Sequence, residues 1–371
     1  MPSRRTFLTP TRARGYTLVE LMVSITIGLI ILAALVTLFA GNSRERAEIE
    51  RANEQTENGR YALQVIGDDL RDAGYLGPFS PGTVLAPNPQ LAGSVPVALP
   101  DICATDLPTL TGALSMPVQG FHAPATAPAC LADWSPTTDI LVVRRASTCA
   151  VGTAGCDAQV AGDVYLQLSG CSTELTAGTS YFRLDTNTGN LNLTQKDCAT
   201  PALMYQFRTH IYFIANDDKA GDNIPTLKRA ELGAGVFTIV PLAEGVQNLQ
   251  VEYGIDIPDP NQFIAGLPNP NYRKTSGSPT AYVADPGVYT SPVYGACAAQ
   301  PPPWDCLSNW RNVVSAKVYV LARNLTPTQG YQDTKTYTLG VTAVPAYGDG
   351  FKRHMYSTVA VLYNTVGRNS P

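Results

Sequence analysis

The chain is short of charge and of residues suited to catalysis. Asp, Glu, Lys and Arg make up 15% of its 371 residues, against about a quarter in ordinary globular proteins. Only three histidines occur, His122, His210 and His354. His210 and His354 fall in strand-like stretches, where packing or surface roles are expected. No G-x-S-x-G, P-loop, dinucleotide-binding or H-E-x-x-H pattern is present, so no nucleophile, cofactor or zinc-protease site is read. The expectation is a non-enzymatic chain with no cofactor and no metal. The acidic runs "NDDKAGDN" (Asn216–Asn223) and "DTNTGN" (Asp185–Asn190) offer oxygen ligands, but neither has EF-hand spacing. Both read as solvated turns. Trp134, Trp304 and Trp310 read as core or loop packing.

Other absences are positional. No acid stands among Arg4, Arg5, Arg12 and Arg14, which all precede Gly15. Without these four arginines the formal charge falls from −4 to −8. Such a body is a poor overall match for nucleic acid, so no nucleic-acid partner is expected. Leu21 to Ser43 holds no charged residue, and Tyr16 to Leu76 no proline. Cysteine is absent before Cys103, and no C-x-x-C pair occurs, which excludes zinc-ribbon spacing.

What is present begins with eight cysteines: Cys103, Cys130, Cys149, Cys156, Cys171, Cys198, Cys297 and Cys306. An even count beyond an apolar segment reads as disulfides in an oxidising compartment. Eight cysteines allow on the order of a hundred pairings. Short loops favour Cys149–Cys156 and Cys297–Cys306; Cys103–Cys130 and Cys171–Cys198 are the next choices. Gly (31) and Pro (29) are plentiful, which implies many turns and long loops.

The uncharged run at Leu21–Ser43 is long enough to cross a bilayer as a helix of roughly 35 Å. The arginines before it place the amino terminus in the cytoplasm and the rest of the chain beyond the inner membrane. A cleaved secretory signal is disfavoured, because the run is too long and "LFAGNSRERA" lacks an A-x-A site. "SRRTFL" has a twin-arginine look, but the apolar core starts only at Tyr16 and no cleavage site follows.

Gly15-Tyr16-Thr17-Leu18-Val19-Glu20 resembles the prepilin signature of type IV pilins and type II secretion pseudopilins. The resemblance implies cleavage by prepilin peptidase between Gly15 and Tyr16 and N-methylation of Tyr16. Members usually carry Phe there; Tyr16 keeps the ring. A carboxylate in a membrane helix costs about 2.5–3.5 kcal/mol on insertion scales and persists where it has a partner. Cleavage would create an amine one turn from Glu20, so Glu20 is expected to pair with a neighbouring subunit's amine and set register during assembly.

Beyond the membrane the helical pattern continues. Leu63, Ile66, Leu70 and Ala73 form one apolar face, and Gly74, Gly77 and Pro78 end it. Pro78 to about Thr137 reads as surface loops pinned by Cys103 and Cys130. Strands are expected at "TTDILVVRRAS" and "DVYLQLS", a hairpin at "TSYFRLDTNTGNLNLT", and strands at "YQFRTHIYFIAN", "PTLKRAEL", "GVFTIVPL", "VQNLQVEYGIDI", "VVSAKVYVLARN", "KTYTLGVTA" and "HMYSTVAVLYN". Alternation of Leu249, Val251, Tyr253 and Ile255 predicts a half-buried strand.

The helix end "GRYALQVIGDDLRDAGYLG" and the strands "TDILVVRRA", "PLAEGVQNLQVEYGID" and "VVSAKVYVLARN" are similar to PilW-type minor pilins. The resemblance implies an α+β, type IV pilin-like fold: a long helix, transmembrane in its first half, packed on an antiparallel sheet domain with disulfide-stapled loops. The expected organisation is a leader (1–15), a helix (16–77, with 16–41 transmembrane and 42–77 amphipathic), a Cys-rich loop and strand region (78–200), and a C-terminal β domain (201–371) with an insertion near 258–308. The implied function is priming of pilus assembly at the inner membrane, with a place at the tip. Implied partners are other minor pilins, the major pilin, prepilin peptidase and inner-membrane lipid. A type II secretion pseudopilin, or a tip adhesin or DNA-uptake subunit, is the alternative.

Overall fold

With no proline to interrupt it, helix α1 (Leu18–Asp72) runs for 55 residues. A computed structural model of the chain describes residues 15–77, 96–176, 181–257, 263–264, 267–268, 277–292, 295–300 and 305–369. The leader before Gly15, the stretch 78–95 and much of the expected insertion, Trp304 included, lie outside these residues. The chain divides into two compact units, Met1–Ala52 and Asn53–Pro371.

In the first unit, α1 exposes every side chain from Gly15 to Arg46. In the second, the same helix buries Ala62, Leu63, Ile66 and Leu70. It stops at Gly74, whose φ of 72° suits glycine and whose N–H donates to the Arg144 carbonyl at 2.9 Å.

The second unit continues with α2 (Leu107–Ala113), β1 (Val118–Phe121), β2 (Ile140–Ala146), β3 (Tyr165–Leu168), α3 (Ser172–Thr176), β4 (Phe182–Asp185), β5 (Met204–Ala215), β6 (Thr226–Gly233) and β7 (Val236–Glu244). These seven strands form one antiparallel sheet along the path β1-β2-β5-β3-β4, with β6 on β5 and β7 on β6. Then come β8 (Val246–Ile255), the short pair β9 (Phe263–Ile264) and β10 (Leu267–Pro268), β11 (Ala281–Val283), the short pair β12 (Thr290–Ser291) and β13 (Gly295–Ala296), α4 (Cys306–Arg311) and β14 (Val313–Arg323). A hairpin of β15 (Tyr337–Leu339) and β16 (Thr342–Val344), β17 (Arg353–Val361) and α5 (Tyr363–Asn369) complete the chain. The second sheet has the order β11-β8-β14-β17.

One core joins the helix to both sheets. Ile66, Leu70 and Ala73 pack with Leu141, Val143 and Tyr212 of the first sheet and with Val251, Val318 and Ala360 of the second. Asp139 ties the sheets together: its N–H donates to the Leu249 carbonyl at 2.9 Å, and its Oδ2 accepts the Val251 N–H at 2.8 Å. The residues on either side of the expected divide at 200/201 thus share a sheet, because β5 pairs with both β2 and β3.

Three local readings change. The described part of the supposed surface loop, 96–137, carries α2 and β1 and buries Ile102, Leu110 and Leu131. The outward face of the first sheet is apolar (Val142, Ile211, Phe213) and needs that cover. The expected hairpin after β4 keeps its turn but loses its second arm. Asn187 and Asp185 accept the N–H groups of Gly189 and Asn187, closing a tight 3₁₀ turn, while β4 pairs back onto β3. Strand β8 is buried on both faces. Asn248, Gln250 and Glu252 lie under the β15–β16 hairpin, where the Thr342 hydroxyl meets Gln250 Oε1 at 2.8 Å and the Tyr319 hydroxyl donates to Glu252 Oε2 at 2.9 Å.

Candidate functional site

The amino end of α1 combines a helix cap with an exposed apolar surface. Thr17 is the residue before the helix and Glu20 lies in its first turn. The Thr17 backbone N–H and hydroxyl both donate to Glu20 Oε2 at 3.1 Å. The Glu20 N–H donates to Thr17 Oγ1 at 3.3 Å. This reciprocal pairing is a capping box: it satisfies N–H groups that a helix start leaves without partners. The Glu20 carboxylate also faces the positive end of the helix dipole. The T-x-x-E spacing of such a cap is present in the sequence at Thr17 and Glu20.

Gly15 and Tyr16 stand just outside the cap. A Cβ at Gly15 would meet nothing within 4 Å, and Tyr16 is 89% exposed. From Leu18 to Phe39 the large apolar side chains are exposed around the whole helix, Leu21, Ile25, Leu32 and Leu35 among them. A surface of that size needs lipid or other helices over it. By length and composition this is the one described helix able to cross a membrane.

The eight cysteines form four bridges: Cys103–Cys130, Cys149–Cys156, Cys171–Cys198 and Cys297–Cys306. The first staples the covering segment over the outer face of the first sheet. The third joins the segments that flank β4.

Inside the second unit, Asp69 of α1 is buried against the first sheet. Its Oδ1 accepts Arg145 Nε at 2.7 Å, and its Oδ2 lies 2.7 Å from His210 Nδ1 and accepts the Tyr212 hydroxyl at 2.9 Å. Burial alone would raise this carboxyl. The hydrogen bond and charge of His210, with Arg145, outweigh it and hold the group well below 3.8. Burial, then the Asp69 charge, push the Tyr212 phenol up. His122 has its titration raised above 6.5, chiefly by its hydrogen bond to Asp139 at 3.0 Å. His354 is exposed and packs edge-on against Tyr356. Nothing in the sequence forecast the Asp69 cluster.

The acidic turns are closed by their own backbones. Asp217 accepts the N–H groups of Gly221 and Asn223, and Asp222 those of Asp218, Lys219 and Ile224. Among the described residues no group of three or more His, Cys, Asp or Glu is placed to hold a metal ion. Trp134 and Trp310 are buried.

Residues 10–36 match the prokaryotic N-terminal methylation motif. With the exposed apolar helix, this defines a membrane-anchored pilin-class subunit with an α+β fold. Residues 211–364, which span β6 to β17, match the type IV pilus-assembly protein W family. The two matches together support a PilW-type minor pilin of type IV pilus assembly. Among solved structures, a type IV-like pilin from Thermus thermophilus is similar at 12% identity, covering 62% of this chain and 81% of that one with a TM-score of 0.25. No curated protein matches.

Proposed function

We propose that this minor pilin is a non-enzymatic primer of filament assembly. It is cut between Gly15 and Tyr16 by prepilin peptidase, methylated at Tyr16, and joined through Glu20 to the amine of a neighbouring pilin. Before assembly its amino terminus is cytoplasmic, the uncharged run crosses the inner membrane, and the Asn53–Pro371 unit is periplasmic. Afterwards it sits at the pilus tip with other minor pilins and contacts the major pilin. The observation that supports this reading is the single carboxylate at the head of a helical run, Leu18 to Ser43, that carries no other charge and is exposed throughout. The Thr17–Glu20 cap satisfies that carboxylate in the lone subunit, and an amine created next to it could exchange with the cap.

The test pairs intact-mass analysis with Glu20→Gln. Cells with active prepilin peptidase should yield a chain that starts at methylated Tyr16. Retention of residues 1–15 overturns the processing. Glu20→Gln keeps hydrogen-bonding capacity and loses charge. It should be processed normally and fail to enter a crosslinked complex with other pilins. Normal incorporation and normal piliation would remove the register role.

A further inference from the structure

Arg144 of β2 is a buried cation with no counter-charge among the described residues. It is 3% exposed. Its guanidinium donates to Gln119 Oε1 at 2.9 Å and, more weakly, to the Met116 carbonyl at 3.4 Å, and Gln119 in turn donates to the Pro100 carbonyl at 3.0 Å. Burial pushes its titration down to about 10, with no charged group contributing, so it stays ionised at neutral pH. No carboxylate pairs with it among the described residues, and every acidic residue of the chain except Asp259 is among those. These two neutral acceptors take up two of the guanidinium's five donors.

A second observation falls at the same place. Thr209 of β5 lies directly opposite Arg144 in the β2–β5 ladder, so the two side chains share a face with Cβ atoms roughly 4.5–5.5 Å apart. The Thr209 hydroxyl is buried with no hydrogen-bond partner. Apolar clusters flank the pair, Val142 and Ile211 on one side and Ala146 and Phe207 on the other. An unpaired charge in such surroundings is strongly unfavourable.

We propose that Arg144 and Thr209 bind a small monovalent anion, chloride or a halide of similar size, through guanidinium N–H and threonine O–H donors. The anion neutralises the cation between the two apolar clusters. It thereby secures the Pro100–Gln119 cover and the end of α1, which Arg144 holds through its own backbone.

The test is thermal unfolding of the full chain in detergent, in sodium chloride or bromide against sodium gluconate at matched ionic strength. From low millimolar to a few hundred millimolar halide, the midpoint should rise by about 3–6 °C more than in gluconate. Arg144→Met should abolish the difference. If that variant does not fold, Thr209→Val, which keeps the shape of the side chain, should shrink it by half or more. Superimposable halide and gluconate curves for the unaltered chain overturn the proposal. So does a halide effect that survives in Arg144→Met or is undiminished in Thr209→Val.

Discussion

Asp69 Oδ2 and His210 Nδ1 lie 2.7 Å apart across 141 residues of sequence, both buried, where helix α1 meets the first sheet. Arg145 and Tyr212 complete the set, so a single carboxylate gathers three partners from two strands. An apolar helix face can slide on an apolar sheet; one buried carboxylate with three fixed partners cannot.

Removing the carboxylate should therefore cost far more than the loss of one contact. Asp69→Ala leaves Arg145 as a largely buried unpaired cation. We expect a loss of about 3–5 kcal/mol, read as a lowered denaturation midpoint of the full chain in detergent. An effect below about 1 kcal/mol would mean the cluster carries little of the helix–sheet attachment.

Two opposed pH limbs should appear in the stability profile. Asp69 titrates lower in the folded chain than the ordinary 3.8, so its contribution is complete above that value and is lost as pH falls below it. His122 titrates above 6.5 when folded, so its contribution is complete below 6.5 and is lost as pH rises through the raised value. Asp69→Asn should shrink the acid limb, which other carboxylates such as Asp185 and Asp349 share, and His122→Asn should remove the neutral one, with unfolding followed from pH 2 to 9.

Two glycines on one helix should respond in opposite directions. At Gly59 a Cβ would lie 2.5 Å from the Tyr356 ring, whose hydroxyl also bonds Thr56. At Gly67 it would meet nothing within 4 Å. Gly67→Ala should stabilise by about 0.5–1 kcal/mol through helix propensity. Gly59→Ala should destabilise despite the same gain, and Tyr356→Ala should relieve that penalty in the double variant.

The disulfides should rank by the loop each closes. Cys103–Cys130 spans 27 residues and Cys149–Cys156 spans 7. In the chain-entropy account, serine pairs should cost about 3.5 and about 2.5 kcal/mol respectively. Chemical denaturation of the two double variants measures the difference.

At the amino end, Thr17→Val removes the hydroxyl half of the cap and leaves Glu20 in place. The first turn should fray, with a cost of about 0.5–2 kcal/mol. Hydrogen exchange at the Glu20 amide, in detergent, should rise relative to Thr26, which lies beyond the first turn.

Much of this protein was legible in one dimension, because the features are local. A proline-free, uncharged run must be helical in an apolar medium, since its backbone has no other partner there. Gly15, Tyr16 and Glu20 stand at fixed offsets along that run, and the short-loop cysteine pairs were favoured by closeness in sequence. Most strands announced themselves by alternation. What was not legible was the division of the strands between two main sheets and the covering role of 96–137, which depend on which face meets which.

The sequence by itself determined the helix and its head, through periodicity and spacing within about twenty residues, and its resemblance to the prepilin signature pointed to the class of protein. Only the tertiary structure decided that Asp69 meets His210, that Asp139 joins two sheets, and that Arg144 is buried without an acid beside it. Each of these rests on strands brought together from more than a hundred residues apart, or on a face covered by another segment. Burial and partnership are properties of the packed chain, and a charge reads the same in sequence whether water or Thr209 lies next to it.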